Sequence, residues 1–213
     1  MKVSLLLLLG LLCPTVLFAQ WDTASHNSRR LFPKHEPLLG AMGFSAAALV
    51  SMRPELHSYE EDLYGNFNMR ATHKLHIDDY MQFLPAATPF VLNLCGVRGE
   101  HSIAQLSLLT ACSYLIGLAA IETGKLLYKT ERPDGSANTS FPSGHTFSAF
   151  TGAEIMRREY GKRYPWMTYA SYGVAMLVGF MRMYNNRHWP SDVLGGAGLG
   201  VLSVSAAYLL FNQ

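Results

Sequence analysis

Four uncharged stretches constrain what this chain can fold into. Met81 to Val97 runs 17 residues without a charge, Ser102 to Ile121 runs 20, Trp166 to Met181 runs 16 and Val193 to Gln213 runs 21. An α-helix needs about 20 mostly apolar residues to cross the hydrocarbon core of a bilayer. Inside that core only helices and closed barrels satisfy their own backbone groups, and continuous apolar runs of this length select helices. A fifth run, Thr146 to Met156, is shorter and carries Glu154, so it has to sit against its neighbours. The expected fold is all-α: a membrane-embedded bundle of about five to six helices. Charged residues make up 15% of the chain, well below the quarter usual in soluble domains. The net charge of +2 argues against nucleic acid as a partner.

The chain begins with Lys2, an apolar run from Val3 to Phe18, and the small Ala19 before Gln20. This is the pattern of a secretory signal over residues 1–19, followed by a single domain over 20–213. Leu17 is bulky for a cleavage site, so an uncleaved anchor is the alternative. Either way, the chain beyond Gln20 starts outside the cytoplasm. Leu38 to Met52 is uncharged but only 15 residues long, and is expected to be re-entrant, interfacial or packed rather than spanning. Met81–Val97, kinked by Pro85 and Pro89, then enters the membrane and Ser102–Ile121 returns. That parity puts Lys125–His145 and Arg182–Asp192 on one outer face. It leaves Arg157, Arg158, Lys162 and Arg163 inside, as the positive-inside rule requires. The polar segment Arg53–Tyr80, with His57, His73, His76, Glu60–Glu61 and Asp78–Asp79, shows no metal-ligand spacing and reads as surface loop, with head-group contact as the sharper alternative. Cys95 and Cys112 read as small buried hydrophobes, since there is no Cys-x-x-Cys pair or zinc spacing.

Three pieces on the outer face carry chemistry: Lys125 with Arg132; Phe141-Pro142-Ser143-Gly144-His145; and Arg182, His188 and Asp192. A phosphate monoester bears about −1.5 to −2 charges near neutrality, which a lysine and two guanidinium forks can match. Ser143 offers a hydroxyl donor, and Gly144 lets its N–H approach an anion closely. His145 opens the next helix, where unpaired N–H groups favour negative charge. His188 and Asp192 are four apart, neighbours on one helical face if a helix starts near Pro190. A carboxylate on one imidazole nitrogen leaves the other free to attack phosphorus. His145 is then available for proton transfer. Arg187, Glu131 and Asp134 fit no required role and read as rim residues. Asn138-Thr139-Ser140 matches the glycosylation acceptor pattern, but it lies beside the pocket.

Together the three pieces closely resemble the signature of the type 2 phosphatidic acid phosphatase family, whose phosphate pocket is shared with vanadium haloperoxidases and bacterial acid phosphatases. The match covers Lys125 to Asp192, in order and with the family's spacing inside each motif. The resemblance implies that His188 is the nucleophile that forms a phosphohistidine, that Asp192 orients it, and that His145 is the general acid. It implies that Lys125, Arg132 and Arg182 hold the phosphate with donors from Ser143 and Gly144, without metal or cofactor. One position departs from the pattern: Met181 stands where the family usually has serine, removing one hydroxyl donor. The His-Trp-Pro-Ser-Asp stretch followed by Leu-Gly-Gly looks more like lipid phosphatases than soluble ones, and is similar to envelope phosphatases of Gram-negative anaerobes. The implied partner is a phosphorylated membrane lipid, of the lipid A, undecaprenyl diphosphate, phosphatidylglycerol phosphate or phosphatidate class. The implied location is a bacterial inner membrane with the site facing the periplasm. The alternatives are a soluble periplasmic acid phosphatase and a membrane protein that binds a lipid or anion without turnover.

Overall fold

The computed structural model describes residues 76–211 without a break, together with 58–62, Met42, Ser45 and Gly65. The expected signal at 1–19, nearly all of Leu38–Met52, and His57 and His73 lie outside the described residues. Six helices occupy the continuous part: α1 (Asp78–Met81), α2 (Leu84–Leu94), α3 (Ile103–Tyr128), α4 (Gly144–Tyr160), α5 (Pro165–Tyr184) and α6 (Pro190–Phe211). No strand occurs among the described residues, as expected of an all-α chain.

Local sequence explains where these helices start and stop. A capping box opens α3: Ser102 Oγ accepts the Gln105 N–H at 3.4 Å, and Gln105 Oε1 accepts the Ser102 N–H at 3.1 Å. The helix continues past Ile121 to Tyr128, which places Lys125 in its last turn. It ends where Lys129 takes the left-handed conformation (φ 47°). Pro165 and Pro190 stand at the first positions of α5 and α6, where the missing N–H has no intrahelical partner to lose.

The expected single crossing over Met81–Val97 is instead broken at Gln82–Phe83 into α1 and α2. Pro85 lies in the first turn of α2 and kinks nothing; only Pro89 is internal. With 11 residues, α2 is about 16 Å long, roughly half the thickness of a hydrocarbon core. Its polar backbone is partly served by α4, since Tyr160 Oη donates to the Pro89 carbonyl at 3.1 Å.

Helix α4 is the axis of the bundle. It packs against α2, α3, α5 and α6, and 13 of its 17 residues are buried, so no side of it is left for lipid. Close approach depends on small residues: a Cβ at Gly196 would overlap the Ser143 carbonyl, and one at Gly152 would overlap the backbone of Ala86. Glu154, the lone acid in this run, is fully engaged. It accepts from Arg157 at 2.8 and 2.7 Å, from Arg158 at 2.7 Å and from the Tyr172 hydroxyl at 2.6 Å. An unpaired carboxylate at that depth would cost several kcal/mol.

The bundle's outer surface is apolar. On α3, Leu108, Leu115, Leu118, Leu126 and Leu127 are exposed, as are Trp166, Leu177 and Phe180 on α5. Helices α3 and α6 are both long and apolar enough to cross a bilayer. So many outward leucines on one helix fit a hydrocarbon surround better than water. Cys95 departs from expectation: it caps the C-terminus of α2 and is exposed, whereas Cys112 is half-buried.

The two ends of the bundle differ. At one end Lys162 Nζ pairs with Glu100 Oε2 at 3.4 Å, and the Glu100 N–H donates to the Glu159 carbonyl at 3.2 Å. At the other, the α3–α4 connection meets the start of α6: the Ser143 N–H donates to the Asp192 carbonyl at 3.0 Å, and Trp189 Nε1 donates to the Glu131 carbonyl at 2.8 Å. Lys125–His145 and Arg182–Asp192 therefore share an end, as the crossing parity requires.

Candidate active site

Three helix termini converge at that shared end. Lys125 is in the last turn of α3 and Arg182 in the last turn of α5, where helix dipoles favour cations. Gly144 and His145 open α4, whose free N–H groups favour an anion. Between them lies a cavity of about 330 Å³, lined by these four residues with Arg132, Arg187, His188, His76, Asp78, Asp79 and Asn185. A Cβ added at Gly144 would meet nothing within 4 Å, so the absent side chain leaves open space beside its N–H.

His188 is held from below. It is 3% exposed and Asp192 is fully buried. His188 Nδ1 lies 3.5 Å from Asp192 Oδ2, an electrostatic contact longer than a good hydrogen bond. The same oxygen accepts the Ser140 hydroxyl at 2.5 Å and the Trp189 N–H at 2.8 Å. Asp192 is thus fixed by two donors, with His188 Nε2 left to the cavity. Ser140, the hydroxyl of the acceptor-like tripeptide, is committed to this contact and buried. Burial pushes the His188 imidazole below its ordinary pKa; Asp192 opposes this, and Arg182 and Arg132 reinforce it. His188 is therefore neutral near pH 7, the form with a free lone pair.

The cationic side is only partly occupied. Arg132 Nε and Arg182 Nε are buried and find no hydrogen-bond partner among the described residues. Buried donors without partners are uncommon, and here two stand at a cavity. Lys125 Nζ pairs with Glu122 Oε1 at 2.7 Å while still lining the cavity. Arg187, expected at the rim, is part of the lining and lies 3.4 Å from Asp134.

Two expected residues sit behind the cavity wall. Ser143 is fully buried; its Oγ caps α4, accepting from Thr146 Oγ1 at 2.9 Å and the Thr146 N–H at 3.5 Å. Its hydroxyl is engaged in the cap and does not line the cavity. Met181 is also buried and outside the lining.

The acids Asp78 and Asp79, read from sequence as surface loop, are inside the site. Asp78 is 1% exposed; its Oδ2 accepts Arg182 Nη1 at 2.7 Å and its Oδ1 accepts Asn185 Nδ2 at 3.1 Å. Asp79 Oδ1 lies 2.9 Å from His145 Nε2 and 3.5 Å from Arg182 Nη1. Burial works to raise the Asp79 pKa, but His145 and Arg182 outweigh it and hold the carboxyl below its usual value. Burial and Arg182 push the His145 imidazole down, against the upward pull of Asp79. The ligand atoms of Asp78, Asp79 and His145 lie within 4.8 Å of one another, but Arg182 already provides the positive charge between the two acids. These residues are therefore poorly suited to a metal ion. A further unforeseen contact comes from Glu60, which accepts the Ser191 N–H at 2.8 Å and its hydroxyl at 3.0 Å. This caps the start of α6 beside His188 and Asp192.

Residues 87–213 match the family model of the PAP2 superfamily. Over 133 residues, 62% of the chain, the sequence is 38% identical to a lipid A 1-phosphatase of Porphyromonas gingivalis, covering 30% of that protein. Over 107 residues, 45% of the chain, it is 29% identical to an undecaprenyl-diphosphatase of Sulfolobus acidocaldarius, covering 50% of it. The chain thus spans half or less of the length of these curated relatives. The crystal structure of Aquifex aeolicus LpxE shares the fold, with a TM-score of 0.51 at 18% identity over 66% of this chain and 90% of that one. With the family match extending over more than half of its length, the chain belongs to the PAP2 superfamily.

Proposed function

We propose that this protein is a metal-independent phosphatase that hydrolyses the phosphate monoester or pyrophosphate of a membrane lipid through a phosphohistidine. The observation that carries the reading is the pairing of a neutral His188, backed by Asp192, with His145 across a cavity holding Lys125, Arg132 and Arg182. The phosphoryl group binds to the guanidinium groups of Arg132 and Arg182, to Lys125, and to the N–H of Gly144 at the α4 terminus, all from residues that line the cavity. His188 Nε2 attacks phosphorus while His145, neutral in the resting site and protonated as the phosphate anion binds and offsets Arg182, gives its proton to the leaving oxygen. Neutral His145 then takes a proton from water as that water attacks phosphorus, and phosphate leaves with His188 restored. Ser143 acts by holding the start of α4 in place.

Support for a lipid substrate comes from the exposed leucines of α3, the helix whose last turn carries Lys125 at the cavity. The named relatives, a lipid A 1-phosphatase and an undecaprenyl-diphosphatase, point to the same class of molecule. The likeness to signal-bearing envelope enzymes and the distribution of basic residues favour an inner-membrane location with the cavity facing the periplasm. Phosphate release from phospholipid, isoprenoid and lipid A substrates, measured for the wild type and His188→Ala in chelator, tests the proposal. Wild-type activity on at least one lipid, lost in the variant and blocked by vanadate, is expected. Unchanged release by His188→Ala would remove the nucleophile from the scheme.

A further inference from the structure

An acid inside an anion-binding cavity opposes substrate binding, so Asp79 needs a countervailing role. Neutralising Arg182 is the obvious one, but Asp78 already does this. Its contact to Arg182 is 2.7 Å, with its other oxygen held by Asn185. Asp79 stands 3.5 Å from Arg182 and makes its short contact, 2.9 Å, with His145 Nε2. Its side chain is 44% exposed, so it is not part of the packed interior.

We propose that Asp79 is a positioning residue for His145, forming a second histidine–carboxylate pair opposite His188–Asp192. This rests on the phosphatase reading above. With Nε2–H donated to Asp79, Nδ1 of the imidazolium carries the proton meant for the leaving oxygen. As the bond from His188 Nε2 to phosphorus forms, the P–O bond breaks, its electron pair stays on the leaving oxygen, and that oxygen takes the Nδ1 proton. In the second step water bonds to phosphorus and returns a proton to Nδ1, while the P–N pair goes back to His188. Asp79 remains ionised throughout and fixes the ring's orientation in both directions.

A leaving group that needs no proton separates this role from a merely structural one. For Asp79→Asn in the full chain, kcat on an alkyl phosphate monoester is expected to fall about 10- to 100-fold, a portion of what a well-placed general acid contributes. On p-nitrophenyl phosphate the fall, read for both substrates in the first turnover as release of the leaving group so that the shared water step is not counted, is expected to stay within about threefold, with KM for both substrates similarly preserved. Asp79→Ser is read the same way if the asparagine variant does not accumulate. Equal losses on the two substrates, or a lower KM with kcat intact, as for a carboxylate that only competes with the anion, would overturn the proposal. His188→Ala run alongside isolates the parent reading. If it still turns over either substrate, the phosphohistidine scheme fails; if it is inactive while Asp79→Asn loses equally on both, Asp79 alone is misassigned.

Discussion

Replacing Asp192 with asparagine removes one charge at the base of the site while leaving its shape intact. Asp192 Oδ2 receives Ser140, Trp189 and the long contact from His188, whereas Oδ1 has no partner among the described residues. An asparagine can keep its carbonyl oxygen at the occupied position and put its amide nitrogen where nothing was bonded. Both short hydrogen bonds survive, but the buried amide N–H groups gain no acceptor, so the stability cost is about 1–3 kcal/mol. The catalytic cost expected from the proposed mechanism is larger, because its phosphohistidine carries a positive ring. At the 3.5 Å separation, an effective dielectric of about 20 gives a Coulomb term near 5 kcal/mol. That corresponds to roughly a 10³- to 10⁴-fold loss in kcat, similar to removing the carboxylate from other histidine pairs. Single-turnover assays with labelled substrate, quenched in alkaline detergent to preserve the acid-labile P–N bond, read both the rate and the phosphohistidine. A folded Asp192→Asn protein within about tenfold of wild type would refute the claim that this carboxylate stabilises the charged ring.

Two further outcomes arise from the charges around the cavity. Asp78→Asn leaves buried Arg182 without its main counter-charge and is expected to lose about 3–5 kcal/mol of stability; phosphate or vanadate should raise its melting temperature more than that of wild type, and equal shifts would contradict the pairing. His188, with its pKa lowered chiefly by burial, should titrate in the resting protein below the ordinary value of about 6.5. Above that value both folded and unfolded states are neutral here; as pH falls below it the unfolded chain protonates first, so stability is lost on the acid side. Imidazole NMR gives the midpoint, and one above about 6.5 would invert the argument.

The helices and the His188–Asp192 pair were legible because each rests on a local pattern: an uncharged run, a Ser-x-x-Gln cap, a four-residue spacing after a proline. The broken α1–α2 piece was not, because Pro85 reads equally as a kink or as a first-turn residue until the neighbouring turn is known. Asp78 and Asp79 were missed for a different reason. Their partners, Arg182 and His145, are 104 and 66 residues away, and a pair of acids in a polar segment looks the same whether it faces water or a cation. Glu60 is a case of the same kind, capping a helix 131 residues downstream. Ser143 was legible as a residue of the site, but its cap on α4 was not read from the sequence, since a hydroxyl before a helix can cap it, donate to a ligand, or do both.

A site that binds a dianion, as proposed for this one, has to be stable before the dianion arrives. Arg182 is 7% exposed and so cannot rely on water, and an uncompensated buried cation would cost more than one ion pair returns. The chain meets this by lending Arg182 an acid from α1 at Nη1 while leaving Nε without a partner among the described residues. One edge of the guanidinium is thus neutralised for folding, and the positive charge that remains is what the proposed function assigns to the phosphate. The same division appears at the proposed nucleophile, where Asp192 satisfies Ser140 and Trp189 with short hydrogen bonds but holds His188 at a longer distance. In the proposed mechanism that contact tightens when the ring becomes charged, so its stabilising energy would be available mainly after attack on phosphorus. Both arrangements keep the resting site folded while reserving for the reaction the interactions that it needs.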